Sequence, residues 1–188
     1  MRHGNLFVIS GPSGAGKGTL VARLLRAVPD AWVSVSVTTR VPRAGEVDGV
    51  HYHFATDAEF QHLVDEDGLL EWATYAGNRY GTPRAEVEER MAQGDQVVLE
   101  IDVQGALQVM QRRPDAISVF IAPPSYAELK RRLAGRGDTP PDIAAKRLHI
   151  ALEECRQAKH YQYTIINDSV GHAVQELEAV LTAEACRT

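Results

Sequence analysis

Short apolar runs alternate with longer stretches of helical pattern along much of the chain. Each run is bounded by glycine, proline or polar residues, which predicts buried strands at 6–10, 97–101, 117–121 and 163–166. The stretches between them predict helices at 16–27, 103–111, 125–134, 141–159 and 171–185. Strands that are apolar along their length and alternate with helices indicate an α/β fold, with a parallel sheet covered on both faces.

The segment 32–93 has a different pattern. Val33, Val35 and Val37 alternate with serine and threonine, which predicts one half-exposed strand, and residues 51–54 continue in the same style. A segment of this character between strand–helix units indicates an inserted substrate-binding subdomain.

Two helices are predicted in the segment 124–160. Ser125 and Glu128 have the spacing of a capping box, and Thr139 followed by two prolines marks a second helix start. Residues 135–137 are Gly-Arg-Gly, a flexible and positively charged joint. This composition is typical of a lid.

Composition narrows the classes of partner. The 188 residues suit one compact domain, with 44% hydrophobic and 24% charged residues. A net charge of −5 gives no general attraction to nucleic acid or to an anionic membrane, so local basic clusters must capture any anionic ligand. The two cysteines lack metal-ligand spacing and are expected to be reduced thiols of a cytoplasmic protein, and the apolar run near the N-terminus is too short for an export signal.

The strongest local signal is a glycine-rich turn between the first predicted strand and the first predicted helix. Its glycines allow successive backbone N–H groups to point at a polyphosphate, assisted by the helix N-terminus, and Lys17 is spaced to reach the outer phosphates. The motif predicts a P-loop phosphotransferase or nucleoside triphosphatase. The predicted phosphate-binding residues are Gly11, Pro12, Ser13, Gly14, Ala15, Gly16, Lys17, Gly18 and Thr19.

One position departs from the usual motif, which has Ser or Thr directly after the lysine. Here that residue is Gly18, and Thr19 follows one place later. The sequence Gly-Lys-Gly-Thr is similar to the loop of many adenylate kinases. A hydroxyl ligand to Mg²⁺ at position 18 is therefore absent, and Thr19 or a water is expected to replace it.

Further stretches extend the pattern over nearly the whole chain. They occupy 34–46, 48–54, 70–73, 77–82, 100–105, 120–125, 133–137 and 166–168. In this order and spacing the chain resembles the bacterial guanylate kinases. The resemblance implies a nucleoside monophosphate kinase fold with a five-stranded parallel core sheet at about 1–31, 94–123 and 161–188. It also implies a GMP-binding subdomain at about 32–93, a helical lid at about 124–160, and reversible Mg²⁺-dependent transfer of the ATP γ-phosphoryl group to GMP.

The resemblance also assigns roles in a GMP pocket. Glu71 faces the N1 and N2 donors of guanine, and hydroxyls of Ser36 and Thr82 face O6. A site built on such hydrogen bonds rejects adenine by roughly 10,000-fold, because its polar groups would be left unpaired. The implied GMP-binding residues are Ser36, Arg40, Arg43, Tyr52, Glu71, Tyr80, Thr82, Glu100 and Asp102.

Charge neutralisation is the main demand of phosphoryl transfer. The resemblance places Lys17 and Arg40 at the phosphates and brings Arg132, Arg136 and Arg147 over them from the lid. Mg²⁺ is expected to be held mainly by nucleotide phosphates and water. Glu100 and Asp102 leave the same face at a strand end, where they either order Mg²⁺-bound waters or orient the arginines.

Two other functions remain open at this level. One is a nucleoside monophosphate kinase with another acceptor; the other is a guanylate-kinase-like module that binds proteins without catalysis. Ser36, Glu71 and Thr82 favour guanine, while Lys17 and the lid arginines favour catalysis. Use of dGMP is open, and the chain is either a monomer or a homo-oligomer.

Overall fold

A computed structural model describes residues 3–75, 77–134 and 141–187. Strands and helices alternate through most of this length. In chain order they are β1 Leu6–Ser10, α1 Lys17–Ala27, β2 Ala31–Val33, β3 Val37–Thr38, β4 His53–Phe54, α2 Asp57–Asp65, β5 Leu69–Tyr75, β6 Asn78–Pro83, α3 Arg84–Gln93, β7 Gln96–Glu100, α4 Val103–Arg112, β8 Ile117–Ala122, α5 Tyr126–Ala134, α6 Pro141–Cys155, a 3₁₀ helix Arg156–His160, β9 Tyr163–Ile166 and α7 Val170–Ala185.

The core is a five-stranded sheet in the order β2-β7-β1-β8-β9, with every neighbouring pair parallel. Phe7 and Ile9 face a hydrophobic cluster with α1 and α7, while Leu6 and Val8 face another with α3 and α4. Both faces are therefore buried, as the continuous apolar strands require. The predicted α/β fold with a five-stranded parallel core is confirmed, and the four predicted apolar strands lie within one residue of the observed ones.

The prediction of one half-exposed strand over residues 33–37 was wrong. Val33 ends β2 in the core sheet, whereas Val37 begins β3 in a second sheet. Val33 packs against the cluster of the core sheet, and Val37 is buried in a separate cluster with Phe60 and Leu69. The alternation thus serves two different sheets, with the chain crossing between them at residues 34–36.

The second sheet has the order β4-β3-β6-β5 and covers α2. Strands β3 and β4 run parallel, while β6 runs antiparallel to β3 and to β5. This mixed sheet lies in the predicted GMP-binding segment. It brings β5 beside α4, and β5 and β6 beside the carboxyl end of β7. In a further cluster, Leu129 and Leu133 of α5 pack on Ala151 of α6.

The predicted helix over 141–159 is observed as two elements. α6 ends at Cys155, and the tighter 3₁₀ helix continues to His160. No helix among the described residues is long and apolar enough to cross a membrane.

Helix α2 begins with a complete capping box, which carries a stability prediction. Thr56 Oγ1 accepts the Glu59 N–H at 3.2 Å, and Glu59 Oε2 accepts the Thr56 N–H at 2.7 Å. We expect Thr56→Ala to lower the free energy of unfolding by about 1 kcal/mol, since a helix N–H loses its acceptor. Urea denaturation measures the change. The control is Thr182→Ala at an exposed position inside α7, where a larger loss than at Thr56 would contradict the prediction.

Candidate functional site

A tight loop connects β1 to α1 and surrounds the start of the helix. Gly11 and Gly16 have φ values of 147° and 92°, in the region that favours glycine. A Cβ atom at Gly11 would lie 2.2 Å from the Ile121 carbonyl oxygen, and one at Gly16 would lie 2.5 Å from Asn167 Nδ2. These glycines therefore let the loop press against β8 and the end of β9.

The Lys17 side chain folds back over this loop. Its Nζ donates to the carbonyl oxygens of Gly11 at 2.5 Å and Pro12 at 3.3 Å. A cavity of about 620 Å³ lies beside it, and the predicted phosphate-binding residues line it except Ala15. Ala15 is buried, and its carbonyl oxygen accepts hydrogen bonds from Asn167 Nδ2 at 2.7 Å and Arg132 Nη1 at 3.3 Å.

Glu100 stands at the carboxyl end of β7, opposite the loop. A Cβ atom at Gly18 would lie 3.3 Å from Glu100 Oε1, so this carboxylate lies directly beside the residue that replaces the usual Ser or Thr. The surrounding cleft walls raise the pKa of Glu100 by desolvation, and the positive charge of Lys17 opposes the rise. Asp102, two residues later, caps α4 by accepting the Gly105 N–H at 2.8 Å.

A second cavity, of about 190 Å³, adjoins the first and is enclosed by β5, β6 and the residues after β7. The two cavities share Tyr75, Glu100, Ile101 and Asp102, so ligands in them would meet at these side chains. Of the residues predicted to bind GMP, the second cavity is lined by Ser36, Tyr52, Glu71, Tyr80, Glu100 and Asp102.

Glu71 is the buried acid of this second cavity, with 5% of its surface exposed. Its pKa is raised to about 7, mainly by burial and also by the nearby charge of Asp102. The hydrogen bond from Thr82 and the charge of Arg112 oppose this rise. Thr82 Oγ1 donates to Glu71 Oε1 at 2.7 Å. Thr82 thus lies behind Glu71, directed at its carboxylate, and is not among the residues that line the cavity.

The two arginines predicted to hold the acceptor phosphate lie near Glu46. Arg40 forms a two-pronged ion pair with this carboxylate, with Nη2–Oε1 and Nη1–Oε2 distances of 2.8 and 3.0 Å, and its guanidinium carbon lies 5.3 Å from the Tyr52 ring centre. The Arg43 N–H also donates to Glu46, and the Arg43 side chain is exposed. These hydrogen bonds lower the pKa of Glu46 to about 2, and the bond from Arg40 has the largest effect.

Glu46 was missed as a site residue at the sequence level. The signal was available, because Glu46 closes the 34–46 stretch on which the family resemblance rests. What the sequence does not reveal is that its carboxylate matches both guanidinium nitrogens of Arg40.

Among the predicted lid arginines, Arg132 reaches the back of the phosphate loop. Its Nε donates to Glu128 at 2.7 Å, and its Nη2 donates to the Asn167 carbonyl oxygen at 3.0 Å. Arg147 lies exposed on α6, and Arg136 lies outside the described residues. The structure therefore joins Arg132 to the loop and leaves the other two roles as predictions.

Another acid of the cleft was also missed at the sequence level. Glu154 of α6 lines the larger cavity, and its Oε2 accepts the Ser13 N–H at 3.3 Å. Burial raises the pKa of Glu154, while the Ser13 N–H and Lys17 oppose the rise. Within residues 3–75, 77–134 and 141–187, no group of three or more His, Cys, Asp or Glu side chains is arranged to hold a metal ion.

The glycine-rich loop on a five-stranded parallel sheet, joined to a cavity with a buried acid on a second sheet, defines a P-loop kinase of the nucleoside monophosphate kinase class. The family model for guanylate kinase matches residues 3–184. The chain belongs to the guanylate kinase family.

Individual relatives agree with this family over nearly full length. The chain is 49% identical to a guanylate kinase of Desulfitobacterium hafniense over 185 residues, covering 98% of this chain and 92% of the relative. It is 54% identical to a guanylate kinase of Thermobifida fusca over 178 residues, covering 95% and 91%. The crystal structure of guanylate kinase from Anaplasma phagocytophilum superposes with a TM-score of 0.81 at 33% identity, covering 100% of this chain and 89% of that one.

Proposed function

We propose that this chain transfers the γ-phosphoryl group of ATP to GMP, reversibly, giving ADP and GDP. The observation that carries the proposal is the buried Glu71, held by Thr82, in a cavity that adjoins the phosphate loop's cavity. A carboxylate in such a place suits a base edge that carries two N–H donors, and guanine has that edge. Adenine presents a lone pair at N1 and would leave Glu71 unpaired.

In this proposal, Arg40 exchanges its partner when the acceptor binds. Its guanidinium is held by Glu46 and lies over Tyr52, which fixes the fork close to the second cavity. A phosphate can accept the same two parallel hydrogen bonds as a carboxylate. Glu46 therefore orients Arg40, and the exposed Arg43 adds a second guanidinium, with hydroxyl donors from Tyr52 and Tyr80.

The donor phosphates bind along the loop between β1 and α1. Inward N–H groups and the start of α1 hold the phosphate oxygens, and Lys17 turns from the loop carbonyls to the outer phosphates. The oxygen donors at the cavity junction fit Mg²⁺ with most of its ligands supplied by phosphate and water, with Glu100, Asp102 and Thr19 as the protein groups nearest that role. When bound, Mg²⁺ neutralises charge on the phosphates.

Arg132, Arg136 and Arg147 complete the charge balance from the α5–α6 lid. Arg132 reaches the loop through Ala15 and Asn167, which gives the lid a fixed point beside the donor site. A closed lid excludes water, which would otherwise hydrolyse ATP. The free thiols Cys155 and Cys186 are consistent with a cytoplasmic enzyme.

Closure itself is testable. We expect the 32–93 and 124–160 segments to approach each other when GMP and a non-hydrolysable ATP analogue bind together. The reason is that the cavities for the two ligands adjoin and share side chains at their junction. Spin labels at exposed Val50 and Lys130, in a background with Cys155→Ser and Cys186→Ser, report the distance. An unchanged distance distribution with both ligands would contradict closure. Labels at Arg26 and Glu178, on two core helices, serve as the control and are expected to stay constant.

The activity is tested by offering GMP, AMP, UMP and CMP separately with ATP and Mg²⁺, and following ADP formation. The expected result is a strong preference for GMP, and dGMP is assayed alongside. A preference for AMP would refute the pocket assignment. Failure of well-folded protein to form ADP from ATP and GMP would instead support a binding module without catalysis.

A further inference from the structure

Helix α4 contains a glycine where its backbone does not require one. Gly105 lies in the first turn of α4, is buried, and is not among the described residues with positive φ. A glycine inside a helix is less favourable than alanine by about 1 kcal/mol. The reason for Gly105 must therefore lie in what surrounds it.

What surrounds it is the carboxylate of Glu71. A Cβ atom at Gly105 would lie 2.6 Å from Glu71 Oε2, closer than such atoms approach one another, and a tight 3.0 Å from Glu71 Cδ. The next nearest atom, Asp102 Oδ1, would lie at an ordinary 3.5 Å. The steric conflict therefore involves one side chain, that of Glu71, and specifically its carboxylate group.

We propose that Gly105 is a positioning residue for guanine selection. This inference rests on the proposed function and deepens it. By lacking a side chain, Gly105 allows the first turn of α4 to close against Glu71. The carboxylate is then confined between this turn and Thr82, with Oε1 held at 2.7 Å by the Thr82 hydroxyl and the acid kept out of water.

A side chain at position 105 would act on selection before it acts on the fold. The colliding atoms belong to the end of a flexible side chain, so Glu71 can rotate away while α4 keeps its place. Rotation separates Oε1 from the Thr82 hydroxyl and carries the acceptors away from the base. Misplacement of a recognition group by about 1 Å is enough to cost about 100-fold.

The experiment compares Gly105→Ala with Gly171→Ala. Gly171 also lies in a first helical turn, that of α7, and a Cβ atom there would meet nothing within 4 Å. We expect Gly105→Ala to raise the KM for GMP by about 10- to 100-fold, with an unchanged KM for ATP and an unchanged melting temperature. The preference for GMP over AMP falls by the same factor. Gly171→Ala is expected to match the parent protein in both KM values and in base preference, and to equal or exceed its melting temperature.

Two further readouts separate positioning from packing. In the parent protein the KM for GMP should change with pH around the Glu71 titration, and Gly105→Ala should move this midpoint to lower pH because Glu71 becomes more hydrated. Glu71→Asp shortens the acid by one methylene, so Gly105→Ala should harm selection less in the Glu71→Asp background than in the parent. The coupling in this double-mutant cycle is the mark of a direct contact.

Each outcome decides the proposal. Gly105→Ala that selects GMP as well as Gly171→Ala does, or that weakens ATP and GMP equally along with stability, overturns the positioning role. Additive effects with Glu71→Asp overturn it as well. A parent protein that fails to phosphorylate GMP refutes the proposed function itself, and that result is visible before any variant is made.

Discussion

Replacement of Lys17 by methionine is expected to leave a folded protein that has lost its turnover. Methionine keeps about the length of the apolar stem, with sulfur in place of one methylene, and lacks the ammonium group, which donates to the Gly11 and Pro12 carbonyl oxygens in the free protein. In the proposed function that group neutralises charge on the transferred phosphoryl group, and the loss of one preorganised donor of this kind lowers kcat by roughly 1,000-fold. Steady-state ADP formation with saturating ATP and GMP measures the effect.

The matched control is Lys130→Met. Lys130 is an exposed lysine on α5, and its replacement should leave kcat within about twofold, as expected for surface substitutions away from such features. Melting temperatures of both variants separate lost chemistry from lost fold. A Lys17→Met variant with nearly normal kcat would show that the loop binds phosphate without taking part in transfer.

The core of the fold was readable from the sequence because its central strands, β7, β1 and β8, are buried on both faces. Residues 6–10 and 117–121 are continuous apolar or neutral runs, and such runs allow little choice of environment. The loop after β1 was readable for a similar local reason: each glycine and Lys17 acts within a span of nine residues.

The mixed sheet was not readable to the same degree. β5 has the sequence LLEWATY, in which apolar and polar residues follow no single period. Its packing partner α4 comes later in the chain, after β6, α3 and β7. Helix α2 did carry a local signal, the Thr56 and Glu59 capping box, of the same type that marked α5. The split of residues 33–37 between two sheets has no local signal, because alternation looks the same in either sheet.

The structure supplies a physical reason for glycine at position 18, where the usual motif has Ser or Thr. The sequence shows only that a hydroxyl is missing after Lys17. The structure places the Glu100 carboxylate 3.3 Å from where a Cβ atom of residue 18 would begin. A serine or threonine at position 18 would therefore crowd the Glu100 carboxylate, which lines both cavities, whereas glycine leaves space for it.

Replacement of Glu71 by glutamine is expected to remove most of the preference for GMP over AMP. Glutamine keeps the shape of the side chain but presents an NH₂ group where guanine requires an acceptor, and this NH₂ can donate to N1 of adenine. We expect the ratio of kcat/KM for GMP to that for AMP to fall by roughly 1,000-fold or more. The four-acceptor assay measures this ratio, and a ratio unchanged within threefold would contradict the role of Glu71.

The same acid predicts a pH effect on GMP binding. The pKa of Glu71 is about 7 in the free protein, mainly through burial, and only the ionised form accepts from both guanine donors. The KM for GMP should therefore fall as pH rises from about 6 to about 8. Because the phosphate of GMP also titrates in this range, Glu71→Gln is the control: the part of the pH dependence that disappears in this variant belongs to Glu71.

The free energy of unfolding is expected to fall as pH rises, whereas GMP binding improves. The folded pKa of Glu71 is raised above its ordinary value of 4.5, so the folded state retains a proton that the unfolded state releases. The stabilisation of the folded state by protonated Glu71 is fully present below about pH 4.5 and is lost as pH rises to about 7. Glu71→Gln should therefore match the parent protein at pH 4 and exceed its free energy of unfolding by roughly 3 kcal/mol at pH 8.

This opposition is what distinguishes a recognition acid from a structural one. Replacing an acid kept for the fold by a neutral residue would lower stability. A buried acid kept for guanine instead destabilises the free protein, in which Thr82 supplies one hydrogen bond, and it gains its remaining partners from the ligand. Urea denaturation of both proteins across pH 4 to 8 measures the difference. A Glu71→Gln variant that is less stable at pH 8 would assign Glu71 to the fold, and would leave the base preference to be explained by another residue of the cavity.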